Sequence, residues 1–173
     1  GIIPTGNELM RNGTNRDVTR IVDVNTPILS LMVKEAGGIP IDLGIARDRE
    51  AEIVAKLRKG LASCDLLLVS AGSSVGRRDL VPKCINAFGK PGVLVHGIAM
   101  RPSLPTGLAV VKGKPVLSLP GFPVSAMFAF RIVGRPLIAR LLGTLEALEP
   151  SVKAVLKERI IGAKAFRIFV RIV

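Results

Sequence analysis

Short apolar runs alternate along the chain with stretches whose apolar residues return every three or four positions. This change of period predicts βα units stacked around a mostly parallel sheet. Gly1 to Pro4 reads as the end of a strand whose start is missing, so the chain is expected to be a piece of something longer. After a loop from Thr5 to Val24, Thr26 is placed to cap a helix with Pro27 at its first position, and Ile28, Leu29, Met32 and Ala36 share one face. Gly37 and Gly38 end it. Ile39 to Ala46 predicts the second strand, and Asp48 opens a helix in which Ile53, Val54, Leu57 and Leu61 recur at helical spacing. Asp65 to Val69 carries the unbroken apolar run of a strand covered on both faces.

Ser70 to Arg78 is a Gly/Ser loop, Asp79 begins a short helix closed by Gly89, and Gly92 to Ala99 predicts a fourth strand. Leu108 to Val111 and Pro115 to Leu119, joined across Lys112, Gly113 and Lys114, predict a hairpin at one edge of the sheet. A last helix runs from Pro123 to about Leu142, bent near Pro136, whose ring cannot continue the hydrogen-bond ladder. Beyond Gly143 the chain passes through Glu149, Pro150 and Ser151 into a basic segment where Phe166, Ile168, Val170 and Ile172 alternate with Arg167, Phe169 and Arg171. The expected fold is α/β: a three-layer α/β/α domain over residues 1–145 with a mostly parallel sheet and an edge hairpin. Residues 146–173 are expected to be a linker and the start of a truncated β-rich C-terminal domain.

Composition narrows the chemistry. A chain of 173 residues buries a core without staples. Cys64 and Cys84 sit in apolar segments with no histidine or second cysteine at metal-ligand spacing, as buried thiols of a reducing compartment do. No signal-peptide pattern and no run of roughly 18 uncharged apolar residues occurs, which points to a cytoplasmic protein without a membrane partner. The net charge of +12 implies attraction to an anion: nucleic acid, a membrane surface or a phosphorylated small molecule. Six phenylalanines with no tryptophan or tyrosine leave few stacking platforms, which speaks against a single-strand nucleic-acid reader.

In an open parallel sheet, ligands bind outside the carboxyl ends of the strands, where helix N-termini and unpaired backbone donors collect. The loops expected there carry Thr5, Gly6, Asn7 and Glu8; Arg47 and Asp48; Ser70, Gly72, Ser73, Ser74, Gly76 and Asp79; Arg101; and Pro120, Gly121 and Phe122. Gly72 and Gly76 would let the backbone approach an anion while Ser73 and Ser74 offer hydroxyls, although the lysine of a P-loop is absent. A phosphate cradle and a plain strand-to-helix turn both remain open for this loop and for Pro120 and Gly121. Asp48 and Asp79 can be helix N-caps. With Glu8 they also form an oxygen-ligand set suited to Mg²⁺ shared with a phosphate. His96, the single histidine, reads as structural rather than catalytic.

At these loops the sequence resembles a known family. Thr5 Gly6 Asn7 Glu8 Leu9, then Asp23 Val24 Asn25, then Leu43 to Asp48, then Ser70 to Asp79, and finally Leu119 to Ala126 resemble the ordered motifs of the molybdopterin molybdotransferases, which include MoeA and the E domain of gephyrin. The likeness covers Gly1 to about Gly143. It implies a cytoplasmic, homodimeric enzyme that uses Mg²⁺, adenylylated molybdopterin and molybdate. By position it implies activity-linked roles for Glu8, Asp48 and Asp79, with Asp48 and Asp79 holding the metal. Ligand contacts are implied for Thr5, Gly6, Ser70, Gly72, Ser73, Ser74, Gly76, Pro120, Gly121 and Ser125, and an oxyanion contact for Arg101. Two departures stand out: Ser103, Leu104 and Pro105 follow Arg101 and Pro102 where the family has glycine, lysine and proline, and Phe122 replaces a common asparagine. An adenylyltransferase of the same fold, or a non-catalytic basic binding module, are the alternatives.

Overall fold

The computed structural model describes residues 1–11, 19–70, 80–144, 151–155, 157–162 and 165–170. In chain order the elements are β1 (Ile2–Pro4), β2 (Leu9–Met10), β3 (Ile21–Val22), α1 (Asn25–Glu35), α2 (Glu50–Ser63), β4 (Leu67–Ser70), α3 (Leu80–Asn86) and β5 (Gly92–His96). They continue with β6 (Met100–Arg101), β7 (Gly107–Val111), β8 (Lys114–Leu119), α4 (Pro123–Ala129), a π-helical turn (Phe130–Gly134), α5 (Arg135–Leu141) and β9 (Arg167–Ile168).

Because successive strand residues face opposite sides of a sheet, the fully apolar strands feed two cores at once. Ile2, Leu68, Leu117 and Leu119 face one side, with Leu29 and Val33 of α1, Ala126 of α4, Phe130 and Ile138. Ile3, Leu67, Val69 and Val116 face the other, with Ile53 and Leu57 of α2 and Val81 and Ile85 of α3. Each such aliphatic side chain contributes roughly 1.5–3 kcal/mol on burial. The result is the predicted three layers, with Cys64 and Cys84 buried as free thiols. Among the described residues no helix is long and apolar enough to cross a membrane.

The central sheet has the order β1-β4-β8-β7-β5. β1, β4 and β8 are parallel, β7 is antiparallel to both β8 and β5, and β5 therefore points the same way as β8. The predicted hairpin exists, turning through Lys112 and Gly113 with φ of 51° and 76°. It is not at the edge, however: β8 lies inside the sheet, and β5 forms the border beyond β7. The buried run Val116–Leu119 explains this, since a strand buried on both faces is stabilised only where helices cover both.

Other boundaries moved for local reasons. The predicted strand from Ile39 to Ala46 runs beside β1 but bonds it only through bridges at Ile2–Asp42 and Thr5–Ala46. Pro40 lacks an N–H, and Gly44 at φ 83° breaks the pleat while its amide goes to the Asp42 side chain. Asp23, rather than Thr26, anchors the start of α1, accepting from the Thr26 amide at 3.1 Å and hydroxyl at 2.6 Å. The segment from Thr5 to Val24 holds a small parallel ribbon, β2 with β3, where a loop was expected. The bend before Pro136 is a full π-helical turn: the proline removes an N–H and crowds a carbonyl, and widening the helix accommodates both. In the basic tail, β9 pairs with β6.

Candidate functional site

The carboxyl ends of β1, β4, β8 and β5 lie along one rim of the sheet, so the residues after them converge there. Pro4, Ser70 and Leu119 stand in register across three strands, which sets Thr5 and Pro120 at the same level. The Thr5 amide continues the ladder to the Ser70 carbonyl at 2.8 Å, and the Gly6 amide reaches the Ala46 carbonyl at 3.0 Å. Gly6 has φ 152°, and a Cβ there would lie 2.5 Å from both carboxylate oxygens of Glu8. The Glu8 carboxylate therefore folds back over Gly6, a position only a glycine leaves open.

Asp48 does not cap α2, whose N-cap position is Arg49 without a side-chain cap bond. It forms instead a reciprocal pair with Asn7: Asp48 Oδ2 accepts from the Asn7 amide and Asn7 Oδ1 from the Asp48 amide, each at 3.1 Å. Arg47 closes the arrangement, its Nη1 donating to the Asn7 carbonyl at 2.8 Å and the Leu9 carbonyl at 2.9 Å. Glu8 is thus flanked by two residues whose carbonyls are held from the far side of β1. Neither Arg47 nor Asn7 stood out as a positioning residue in the sequence, because their partners lie about 40 positions away.

Beyond them, Arg11 donates to Asp42 Oδ1 at 2.6 Å and lies 4.0 Å from Asp23 Oδ2. Burial pushes the Asp42 carboxyl up, but the bonds from Arg11 and the Gly44 amide and the nearby positive charges win, so its pKa falls below the ordinary 3.8. The same hydrogen bond raises the pKa of Arg11. Asp23 in turn fixes the first turn of α1, where Asn25 Nδ2 donates to the Gly121 carbonyl at 2.8 Å. Among the described residues, two buried side-chain atoms at this rim have no hydrogen-bond partner, Ser70 Oγ and Asn25 Oδ1. An orphaned buried polar atom costs about 1–3 kcal/mol, so each calls for a partner.

On the far side of β8, Ser103 Oγ donates to the Ser125 carbonyl at 2.5 Å and ties the loop after β6 to the first turn of α4. Ser103 has φ 98°, a conformation favouring glycine, and its carbonyl accepts from the Thr106 amide and hydroxyl. The serine that departs from the family pattern is therefore a buried tether. Arg101 is exposed, with its guanidinium 4.4 Å from the centre of the Phe166 ring. Stacking uses the flat face and leaves the N–H donors along the edge for an anion. Pro120 is buried, Gly121 exposed and Ser125 half-buried, while His96 ends β5 on the surface.

Gly72, Ser73, Ser74, Gly76 and Asp79 lie outside the described residues. Among the described residues no group of three or more His, Cys, Asp or Glu could hold a metal ion. A cavity of about 510 Å³ lies at the opposite end of β1 and β4, lined by Val33, Gly38, Ile39, Cys64, Leu66 and Ile138 among others. None of the candidate residues borders it, and its apolar walls do not suit a charged ligand.

Residues 1–140 match the family described as the probable molybdopterin binding domain. Over 174 aligned residues the chain is 31% identical to molybdopterin molybdenumtransferase 2 of Mycobacterium tuberculosis, covering 98% of this chain and 43% of that protein. It is 31% identical over 152 residues to the molybdopterin molybdenumtransferase of a Nostoc species, covering 86% of this chain and 35% of that one. A solved molybdopterin biosynthesis MoeA protein from Pyrococcus horikosii superposes with a TM-score of 0.73 at 37% identity, over 82% of this chain and 34% of that chain. The chain thus spans less than half the length of these relatives.

Proposed function

The chain belongs to the molybdopterin-binding domain family, and from that premise we propose that it is the ligand-binding domain of a molybdotransferase, which inserts molybdate into adenylylated molybdopterin and releases AMP. The observation that carries this reading is the convergence of Glu8, the Asn7–Asp48 pair, Ser70 and Gly121 on one rim, where the buried Ser70 hydroxyl has no hydrogen-bond partner. A chain charged +12 attracts a ligand carrying a pyrophosphate-like linkage and an oxyanion.

Asp48 supplies one oxygen donor of the kind a hard cation takes. Asp48 is exposed, and its Oδ2 takes the Asn7 amide while Oδ1 remains for a ligand. Mg²⁺ would be held through Asp48 and Asp79, where it would neutralise charge on the phosphates during release of AMP. The chain's own residues then have distinct tasks. Arg47 and Asn7 keep Glu8 and Asp48 aligned, and the edge donors of Arg101 hold molybdate oxygens by paired hydrogen bonds. The Pro120–Ser125 loop bounds the ligand from the β8 side. The resemblance extends the reading to a cytoplasmic homodimer, with residues 146–173 opening a further domain.

The test is molybdate-dependent AMP release by the full-length protein. Asp48→Ala should lower it by about 100-fold or more, since it removes a metal ligand and half of the Asn7 pair. Unchanged turnover would overturn the assignment. ATP-dependent formation of the adenylylated pterin would favour the adenylyltransferase instead. Nucleic-acid binding with a steep salt slope and no pterin binding would favour a basic binding module.

A further inference from the structure

Among the described residues only two buried side-chain atoms lack a hydrogen-bond partner, Ser70 Oγ and Asn25 Oδ1. They belong to the same place. Ser70 ends β4 in register with Leu119, and two residues beyond Leu119 the Gly121 carbonyl receives Asn25 Nδ2 at 2.8 Å. Ser70 is already a candidate ligand contact, and the same signature singles out Asn25 independently.

The Asn25 amide has one possible orientation. The Gly121 carbonyl can only accept, so Nδ2 must face it, and Oδ1 points away as an acceptor. Nor can the group easily turn to find a partner: the side chain is buried, with the residue 8% exposed, in a helical turn fixed by the bonds from Thr26 to Asp23. What would satisfy Oδ1 is therefore a donor. Ionised phosphate and molybdate oxygens carry none, so the anionic parts of a ligand do not match, whereas an N–H on a nitrogen heterocycle does.

We propose that Asn25 is a ligand-binding residue of this rim, its Oδ1 accepting a hydrogen bond from the exocyclic amine of the ligand's heterocycle. It rests on the reading of the rim as the site for adenylylated molybdopterin, in which both the pterin and the adenine carry such a donor. Asn25 thus recognises a ring, while Arg101 and the metal-holding carboxylates deal with charge.

The experiment titrates full-length wild type and Asn25→Ala by calorimetry with two probes, pterin-6-carboxylate and AMP. Each is paired with an analogue whose exocyclic amine is dimethylated and can no longer donate. Wild type is expected to prefer one parent over its dimethyl analogue by about tenfold or more, and Asn25→Ala to lose that preference. The parent that shows it identifies the ring. A thermal melt checks that the variant is folded, and Asn25→Ser, too short to reach the same donor, should show the same loss if the alanine variant is not. Equal wild-type affinity for each parent and its analogue overturns the proposal and leaves a buried water as the partner of Oδ1. A preference that persists in both variants overturns it as well. Wild type binding neither pterin nor AMP overturns the reading of the site itself, and this proposal with it.

Discussion

Replacing Arg47 with alanine removes the two hydrogen bonds that hold the Asn7 and Leu9 carbonyls. Hydrogen bonds to a charged group are worth roughly 1.5–3 kcal/mol each. One nitrogen serves both carbonyls here, and the Asn7 bond is exposed to solvent, so about 2 kcal/mol in total is the appropriate figure. The loss should be felt locally first, because the loop that Arg47 holds is continuous with β2, whose bonds to β3 are few. The Ile21 amide donates to the Glu8 carbonyl and the Asp23 amide to the Met10 carbonyl, so these two protons report on the loop. At about 1.4 kcal/mol per factor of ten, 2 kcal/mol of weakened closure raises their exchange about 30-fold. Amide exchange followed by NMR in Arg47→Ala, with amides of β4 and β8 as internal controls, measures this. Arg47→Lys keeps one charged donor on a differently shaped side chain and should fall between the two. Exchange at Ile21 and Asp23 within a factor of two of wild type would refute the argument that Arg47 positions Glu8.

Four further outcomes follow from the same geometry. The folded Asp42 pKa lies below its ordinary value, so its contribution to stability is full above about pH 3.8 and is lost as pH falls through the folded value. Asp42→Asn should therefore lower urea stability at pH 7 and flatten the acid limb of the stability curve below pH 4. Ser103→Ala keeps the strained φ and loses the bond to Ser125, and should cost about 1–2 kcal/mol. Ser103→Gly relieves the backbone as it loses the bond and should be nearly neutral in the same urea titration. Gly6→Ala puts an alanine at φ 152° and displaces the Glu8 carboxylate, so AMP release should fall by about tenfold or more and the melting temperature should drop with it. Unchanged AMP release in a folded Gly6→Ala would count against a role for Glu8 at the reacting centre.

The sequence by itself determined the architecture, because the information is local and periodic. The run Leu67–Val69 is apolar on both faces and must be sandwiched, α2 shows its stripe in Ile53, Leu57 and Leu61, and the polar break around Gly113 between two apolar runs signals a hairpin. It also put Thr5, Glu8, Asp48 and Gly121 just beyond strand ends on one side of the sheet, beside Ser70 at the end of β4, since chain direction alone puts them there. Only the tertiary structure decided that β8 lies inside the sheet, that Asp48 pairs with Asn7 instead of capping a helix, that Ser103 tethers α4, and that Asn25 meets Gly121. Each of these depends on a polar partner between 22 and 96 residues away, or on which strand edge a neighbour leaves free. Hydrophobic burial repeats with the period of the backbone and can be read along the chain, whereas a single directional bond between distant segments leaves no periodic trace and exists only once packing has brought its two ends together.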